Sequence, residues 1–216
     1  MSREAEERPS IYVVAGTNGA GKSSVAGALF RKLGTNYFNP DEAARRILET
    51  NPDTDLSQAN SEAWLLGKRL LENAIASRTE FAFETTLGGN TIPLLLEQAA
   101  DEGMAVQILY VGLDSPELHI ARVKARVKAG GHDIPEGMIR ERYRKSRENL
   151  LRLLPRLAGL RMFDNSAESD PRTGGRPKPR LILSMSDGKI EETCDVADVP
   201  DWAKPIFVAA FRTFGI

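Results

Sequence analysis

The residues Gly16-Thr17-Asn18-Gly19-Ala20-Gly21-Lys22-Ser23 fit the pattern Gly-x-x-x-x-Gly-Lys-Ser/Thr in full. A short apolar run, 11–15, leads into them and a helical pattern leads out. Each part of such a loop has a physical task. The glycines let the backbone turn without a Cβ in the way, so that successive N–H groups point inward at phosphate oxygens. The helix that starts near Gly21 adds unpaired amides and the positive end of its dipole. Lys22 carries a full charge to the β- and γ-phosphates, and the Ser23 hydroxyl is suited to ligate Mg²⁺. With Ser24 these residues form the expected binding site for ATP and Mg²⁺. The Asn-Lys-x-Asp segment that would select guanine does not occur, nor does an apolar strand ending in Asp-Glu of the kind that motor ATPases carry.

Polar residues at the ends of other predicted strands suggest what the nucleotide is for. Asp41, in Phe38-Asn39-Pro40-Asp41, closes the second predicted strand near the place where an acceptor hydroxyl would meet the γ-phosphate. A carboxylate there can take the hydroxyl proton, a role worth roughly 10²–10⁴-fold in rate; it could also simply cap the helix that follows. Glu84, directly after Phe81-Ala82-Phe83, would be costly to bury without partners. At a strand end it can bind an acceptor, with Thr86 and the turn Leu87-Gly88-Gly89 beside it; the plainer reading is a surface carboxylate. Arg122 and Arg126 share a helix face, Gly130-Gly131 breaks that helix, and Arg140, Arg142, Arg144 and Arg147 follow on the next. Two basic helices on a glycine hinge suit a lid whose arginines offset charge on a moving phosphoryl group.

These residues need a scaffold that gathers strand ends. Short β-branched or aromatic runs at 11–15, 81–83 and 106–111 read as strands buried on both faces, and 36–39 and 160–164 read as further strands. Helical patterns at 22–33, 41–50, 59–78, 91–102, 115–128 and 135–153 separate them. Ala63, Leu66, Leu70 and Ala74 predict one apolar stripe, and Leu94, Leu95 and Ala99 a weaker one. The alternation predicts an α/β fold, a three-layer sandwich around a parallel sheet with a helical lid. Three prolines and two glycines make 171–180 a loop. Beyond it, 181–185 and 189–192 flank an Asp187-Gly188 hairpin turn, and a helix over 201–213 should bury Trp202, Ile206, Val208 and Phe211.

The chain has 216 residues, 29 Lys plus Arg and 30 Asp plus Glu, for a net charge of −1. One domain of this size buries a full core. The balanced charge speaks against nucleic acid as a partner, including phosphorylation of its ends, since such binding needs a basic excess. Cys194 is alone and so makes no internal disulfide; with no apolar run near the ~18 residues of a span, a cytoplasmic protein without membrane contact is expected. His132 is one of two histidines, too few for a histidine-built metal site.

Taken together, the loop 16–23, Asn39-Pro40-Asp41, Phe83-Glu84-Thr85-Thr86, Gly131-His132-Asp133-Ile134-Pro135, Arg142-Tyr143…Ser146 and Phe163-Asp164-Asn165-Ser166 resemble the zeta-toxin family of P-loop kinases over about 11–192. The resemblance implies transfer of the ATP γ-phosphate to a hydroxyl of a small molecule, a UDP-N-acetyl sugar in the toxins. It puts ATP binding on Lys22, the base on Asp41 and acceptor binding on Glu84 and Thr86. The lid arginines fall on Arg126 and Arg142, with Arg122 and Arg140 as rivals. An antitoxin protein is implied as a partner. The organisation expected is a disordered 1–10, a kinase domain over 11–192 and a helical extension over 193–216 packed on it. The competing reading is an ATP-binding regulator, or a partner-dependent ATPase, without an acceptor.

Overall fold

The computed structural model describes residues 8–23, 25, 37–51, 53–167 and 178–215; Ser24, most of the predicted helix 22–33, the first seven residues and most of the loop 171–180 lie outside them. Strands β1 (Ser10–Ala15), β2 (Tyr37–Phe38), β3 (Phe81–Thr85), β4 (Ala105–Gly112) and β5 (Gly159–Asp164) are mutually parallel, and β6 (Arg180–Ser186) and β7 (Lys189–Thr193) continue the same sheet antiparallel. Their order is β2-β3-β1-β4-β5-β6-β7. The β6–β7 turn is built as Asp-Gly turns are: Asp187 and Gly188 both have positive φ, 46° and 71°.

Helices α1 (Pro40–Thr50), α2 (Leu56–Ser77), α3 (Thr91–Asp101), α4 (Pro116–Lys128), α5 (Glu136–Leu153) and α6 (Lys204–Phe214) complete the described chain. No described helix is long and apolar enough to cross a membrane. Period-two alternation sends Ile11, Val13 and Ala15, with Val106, Ile108 and Tyr110, into the larger core under α2, α3, α5 and α6. Val14, Ala82, Leu109 and Val111 face the smaller core on the other side, beneath the loop 16–23. This is the predicted three-layer α/β arrangement.

Three apolar stripes differ from the predicted ones. On α2 the buried set is Ala59, Ala63, Gly67, Leu71, Ala74 and Ile75, which leaves Leu66 exposed. Gly67 carries the closest contact: the Phe38 ring lies where its Cβ would be, 2.6 Å from the nearest ring atom, so the small-residue face turns inward. On α3 the buried residues are Pro93, Leu96 and Ala99, with Leu94 outside. On α6 Ile206, Phe207 and Ala210 are buried, joined by Trp202 just before the helix, while Val208 and Phe211 stay exposed.

Two buried contacts join the helices to the strand ends that carry the candidate site. Trp202 lies across Gly112 at the tip of β4, where an added Cβ would stand 2.4 Å from the indole. His119 of α4 is buried, and its Nδ1–H donates to the Asn18 carbonyl at 2.8 Å, so the ring is the neutral Nδ1–H tautomer. Burial, helped by the charges of Lys22, Arg122 and Arg147, pushes the His119 pKa from 6.5 down to about 4. Because the folded value lies below the unfolded one, the stability that neutral His119 contributes is complete above pH ~6.5 and is lost as pH falls toward 4, on the order of 3 kcal/mol in all.

Gly112→Ala should therefore cost about 1–3 kcal/mol in urea melts, since neither strand nor buried indole can yield. Between pH ~7 and ~4.5 the wild type should lose more unfolding free energy than His119→Gln. Equal losses would show that His119 does not titrate in the folded protein as its surroundings require.

Candidate active site

The loop 16–23 leaves the carboxyl end of the central strand β1, and helical backbone begins at Lys22. Its glycines take conformations open to glycine alone: φ is 143° at Gly16, 83° at Gly19 and 84° at Gly21. Thr17, Ala20 and Lys22 are buried. Lys22 Nζ donates to the Gly16 carbonyl at 2.9 Å and lies 3.4 Å from Glu84 Oε1.

The register Val14↔Glu84 brings Glu84 to the same end of the sheet, one strand away. Its carboxylate is buried and surrounded by donors. Oε2 accepts from Tyr37 OH at 2.7 Å, Ser23 Oγ at 3.3 Å and Asn39 Nδ2 at 3.4 Å, while Oε1 faces Lys22. The surface-carboxylate reading of Glu84 is thereby excluded; its burial is offset by partners, as a buried charge requires. Burial and the adjoining carboxylate push the Tyr37 phenol pKa up, so Tyr37 stays a donor.

Asn39 has a second task. Its Oδ1 accepts from the backbone N–H of Asp41 at 2.9 Å and of Glu42 at 3.3 Å, so the cap of α1 is Asn39 and not Asp41. Freed from capping, Asp41 points out with its side chain half exposed, 3.8 Å from Arg126 NH1. Thr85 and Thr86 hydroxyls accept the N–H groups of Leu87 and Gly88 at 3.1 and 3.4 Å, which closes the turn. Asn149 of α5 holds that turn from beyond, donating to the carbonyls of Leu87 and Gly89 at 2.8 Å each.

The arginines divide by direction. Arg140 pairs with Glu117 at 2.6 Å and Arg144 with Glu148 at 2.6 Å, both on the outer surface. Arg122 reaches the Ser166 and Ala167 carbonyls, and Arg147 stacks on Tyr143 with its guanidinium 3.8 Å from the ring centre. Arg142 turns inward: NH1 donates to Asn18 Oδ1 at 2.8 Å, and burial lowers its pKa. Arg126 also turns inward, to Asp41 and to the His132 carbonyl at 3.4 Å; its Nε is buried without a hydrogen-bond partner among the described residues. Both depend on glycine. A Cβ on Gly88 would lie 2.8 Å from Arg142 Cγ, and one on Gly131 2.7 Å from Arg126 Cγ.

These groups open onto one cleft of about 1230 Å³. Asn18, Lys22, Asp41, Glu84, Thr86 and Arg142 line it together, with His132–Pro135 from between α4 and α5 and apolar residues that include Phe38, Trp64 and Met138. Arg126 stands behind Asp41 and does not line it. Sequence reasoning gave no role to His119, Tyr37 and Asn149, nor to Asn165, whose Nδ2 donates to the Ala20 carbonyl at 2.8 Å. Each acts on a residue far away in the chain, so no local pattern marks it. Asn39 was legible: Asn-Pro-Asp is a helix-start signal, in which the Asn outranks the Asp.

Comparison with known proteins agrees with this architecture. An uncharacterized protein of Haemophilus influenzae is 35% identical over 128 residues, which cover 59% of this chain and 88% of that one. The crystal structure of AvrRxo1-ORF1 with AvrRxo1-ORF2 and ATP superposes with a TM-score of 0.64 at 18% identity, over 95% of this chain; the chain spans 64% of that protein's length. A structure of the PezAT chromosomal toxin-antitoxin system of Streptococcus pneumoniae gives a TM-score of 0.60 at 14% identity, covering 98% of this chain and 88% of that one. The sequence profile of the zeta toxin family matches residues 2–168. The chain belongs to the zeta toxin family and has the fold of a P-loop kinase.

Proposed function

We propose that this protein is a kinase that transfers the γ-phosphoryl group of ATP to a hydroxyl of a small molecule. One observation carries the reading: a single cleft is lined at once by the phosphate-loop residues Asn18 and Lys22 and by the acceptor-side residues Asp41, Glu84 and Thr86. A regulator or an ATPase without an acceptor has no use for the second set.

In this reading the amides of 16–23 and the Lys22 ammonium bind the β- and γ-phosphates. Ser23 Oγ and Glu84 Oε2, 3.3 Å apart, are hard oxygen donors that fit Mg²⁺ or its bound water. When bound, that ion would neutralise charge between the β- and γ-phosphates. Asp41 takes the proton as the acceptor oxygen bonds to the γ-phosphorus; the bond from that phosphorus to the bridging oxygen breaks, and ADP leaves. Arg126 holds the Asp41 carboxylate in place. Arg142, already against Asn18, offsets charge on the moving group. Glu84 and Thr86 orient the acceptor.

The cleft exceeds the ~300–1,000 Å³ usual for small ligands, which supports an acceptor the size of a nucleotide sugar; a UDP-N-acetyl sugar is the first to test. The PezAT and AvrRxo1 structures are described as assemblies with a second protein, which supports a neutralising partner for this chain as well.

With γ-labelled ATP, Mg²⁺ and a panel of nucleotide sugars and other hydroxyl metabolites, label should appear on a metabolite. Release of phosphate alone, with none transferred, would favour the ATPase reading instead. Asp41→Asn should keep ATP affinity and lose transfer by roughly 10²–10⁴-fold. Lys22→Ala should weaken ATP binding by about ten- to a hundredfold, the worth of charge-assisted bonds of this kind. Unchanged affinity in Lys22→Ala would remove the nucleotide from this loop.

A further inference from the structure

The family match ends at residue 168, yet residues beyond it return to the end of β5, next to a residue that holds the nucleotide loop. Trp202 is 3% exposed, and its Nε1–H donates to Asp164 Oδ1 at 3.1 Å. Ser166 Oγ donates to the same oxygen at 2.5 Å, and through that hydroxyl the turn is tied to the Asp114 N–H at 2.8 Å. The other Asp164 oxygen lies 4.0 Å from Arg180, which also donates to the Asp198 carbonyl at 2.7 Å. Two residues from outside the matched core, Trp202 and Arg180, thus converge on one carboxylate at the end of β5. The next residue, Asn165, donates from Nδ2 to the Ala20 carbonyl inside the phosphate loop, and from its backbone to the Gly112 carbonyl at 3.0 Å.

The outer edge of the indole, Cζ2, Cη2 and Cζ3, packs over Gly112, and the ring lies 6.0 Å from that of Tyr110. What the indole adds is an N–H aimed at a carboxylate whose side chain is only 12% exposed, where losing one partner leaves the other charge poorly compensated. We propose that Trp202 is a positioning residue for nucleotide binding. Through Asp164 it fixes the 164–167 turn, so that Asn165 can hold the Ala20 carbonyl and keep the neighbouring loop amides facing the phosphates. The segment after residue 178 then sets ATP affinity without touching ATP. This rests on the nucleotide-binding part of the function proposed above, and not on the identity of any acceptor.

The test uses the full chain and MgATP alone, with affinity measured by calorimetry. Trp202→Phe removes the N–H together with the outer edge of the indole; it should raise the Kd for MgATP about five- to twentyfold. Asn165→Ala should do the same, and the double variant should bind no more than about twofold worse than the weaker single, because both break one chain of contacts. Hydrogen exchange in the peptide covering 16–23 should quicken in nucleotide-free Trp202→Phe while that of β1 does not change, a local effect that general loss of packing does not produce. A wild-type Kd in Trp202→Phe, whatever its melting temperature, overturns the proposal, and so do losses that multiply in the double variant. Should Trp202→Phe not fold, Asp164→Ala, which removes the oxygen that accepts the indole N–H, decides by the same criteria. If the wild type itself binds no MgATP, the nucleotide reading fails and this inference falls with it.

Discussion

The carboxylate of Glu84 draws together groups from three adjacent strand ends: Lys22 and Ser23 after β1, Tyr37 on β2 and Asn39 just after it, and Glu84 itself on β3. A lone carboxylate in that position would be unaffordable in free energy, and four donors make it tenable. The same contacts fix the direction of the Lys22 ammonium, which the Gly16 carbonyl alone would leave free to swing. The rest of the site is arranged around this constraint, because it sets where phosphates can lie and therefore where an acceptor hydroxyl must come.

The arrangement also shows how backbone chemistry places charged side chains. Gly88 and Gly131 leave room for the stems of Arg142 and Arg126, so one arginine lines the cleft and another backs Asp41, while Arg140 and Arg144 pair off on the surface. Asn39, by capping α1, leaves Asp41 without a capping duty and facing the cleft. His119 and Asn165 each bind a carbonyl of the phosphate loop from a neighbouring element, at 2.8 Å in both cases. The loop is held from behind by side chains that never meet the nucleotide.

Much of this was legible in the sequence. The phosphate loop carries its geometry in its own glycines and lysine, and buried parallel strands announce themselves as apolar runs between helical patterns. The Asp-Gly hairpin and the glycine break between α4 and α5 were equally local. What could not be read were contacts decided by which strands lie side by side. Tyr37 meets Glu84 only because β2 pairs with β3, and the inward arginines could not be told from the outward ones until the helices were docked. The stripes on α2, α3 and α6 were misassigned for a related reason: burial follows the neighbour's shape, such as the Phe38 ring on Gly67, and not hydrophobicity alone. The paired state of Glu84 was missed because its donors lie as far away in the chain as Lys22.

The most direct test of the account is a crystal structure of the protein with MgADP, a planar phosphoryl mimic such as aluminium fluoride, and a hydroxyl acceptor. The account predicts the mimic between Lys22 Nζ and the Arg142 guanidinium, with the acceptor hydroxyl in line behind it and hydrogen-bonded to Asp41. An acceptor seated away from Asp41, or a mimic out of reach of Lys22, would contradict it.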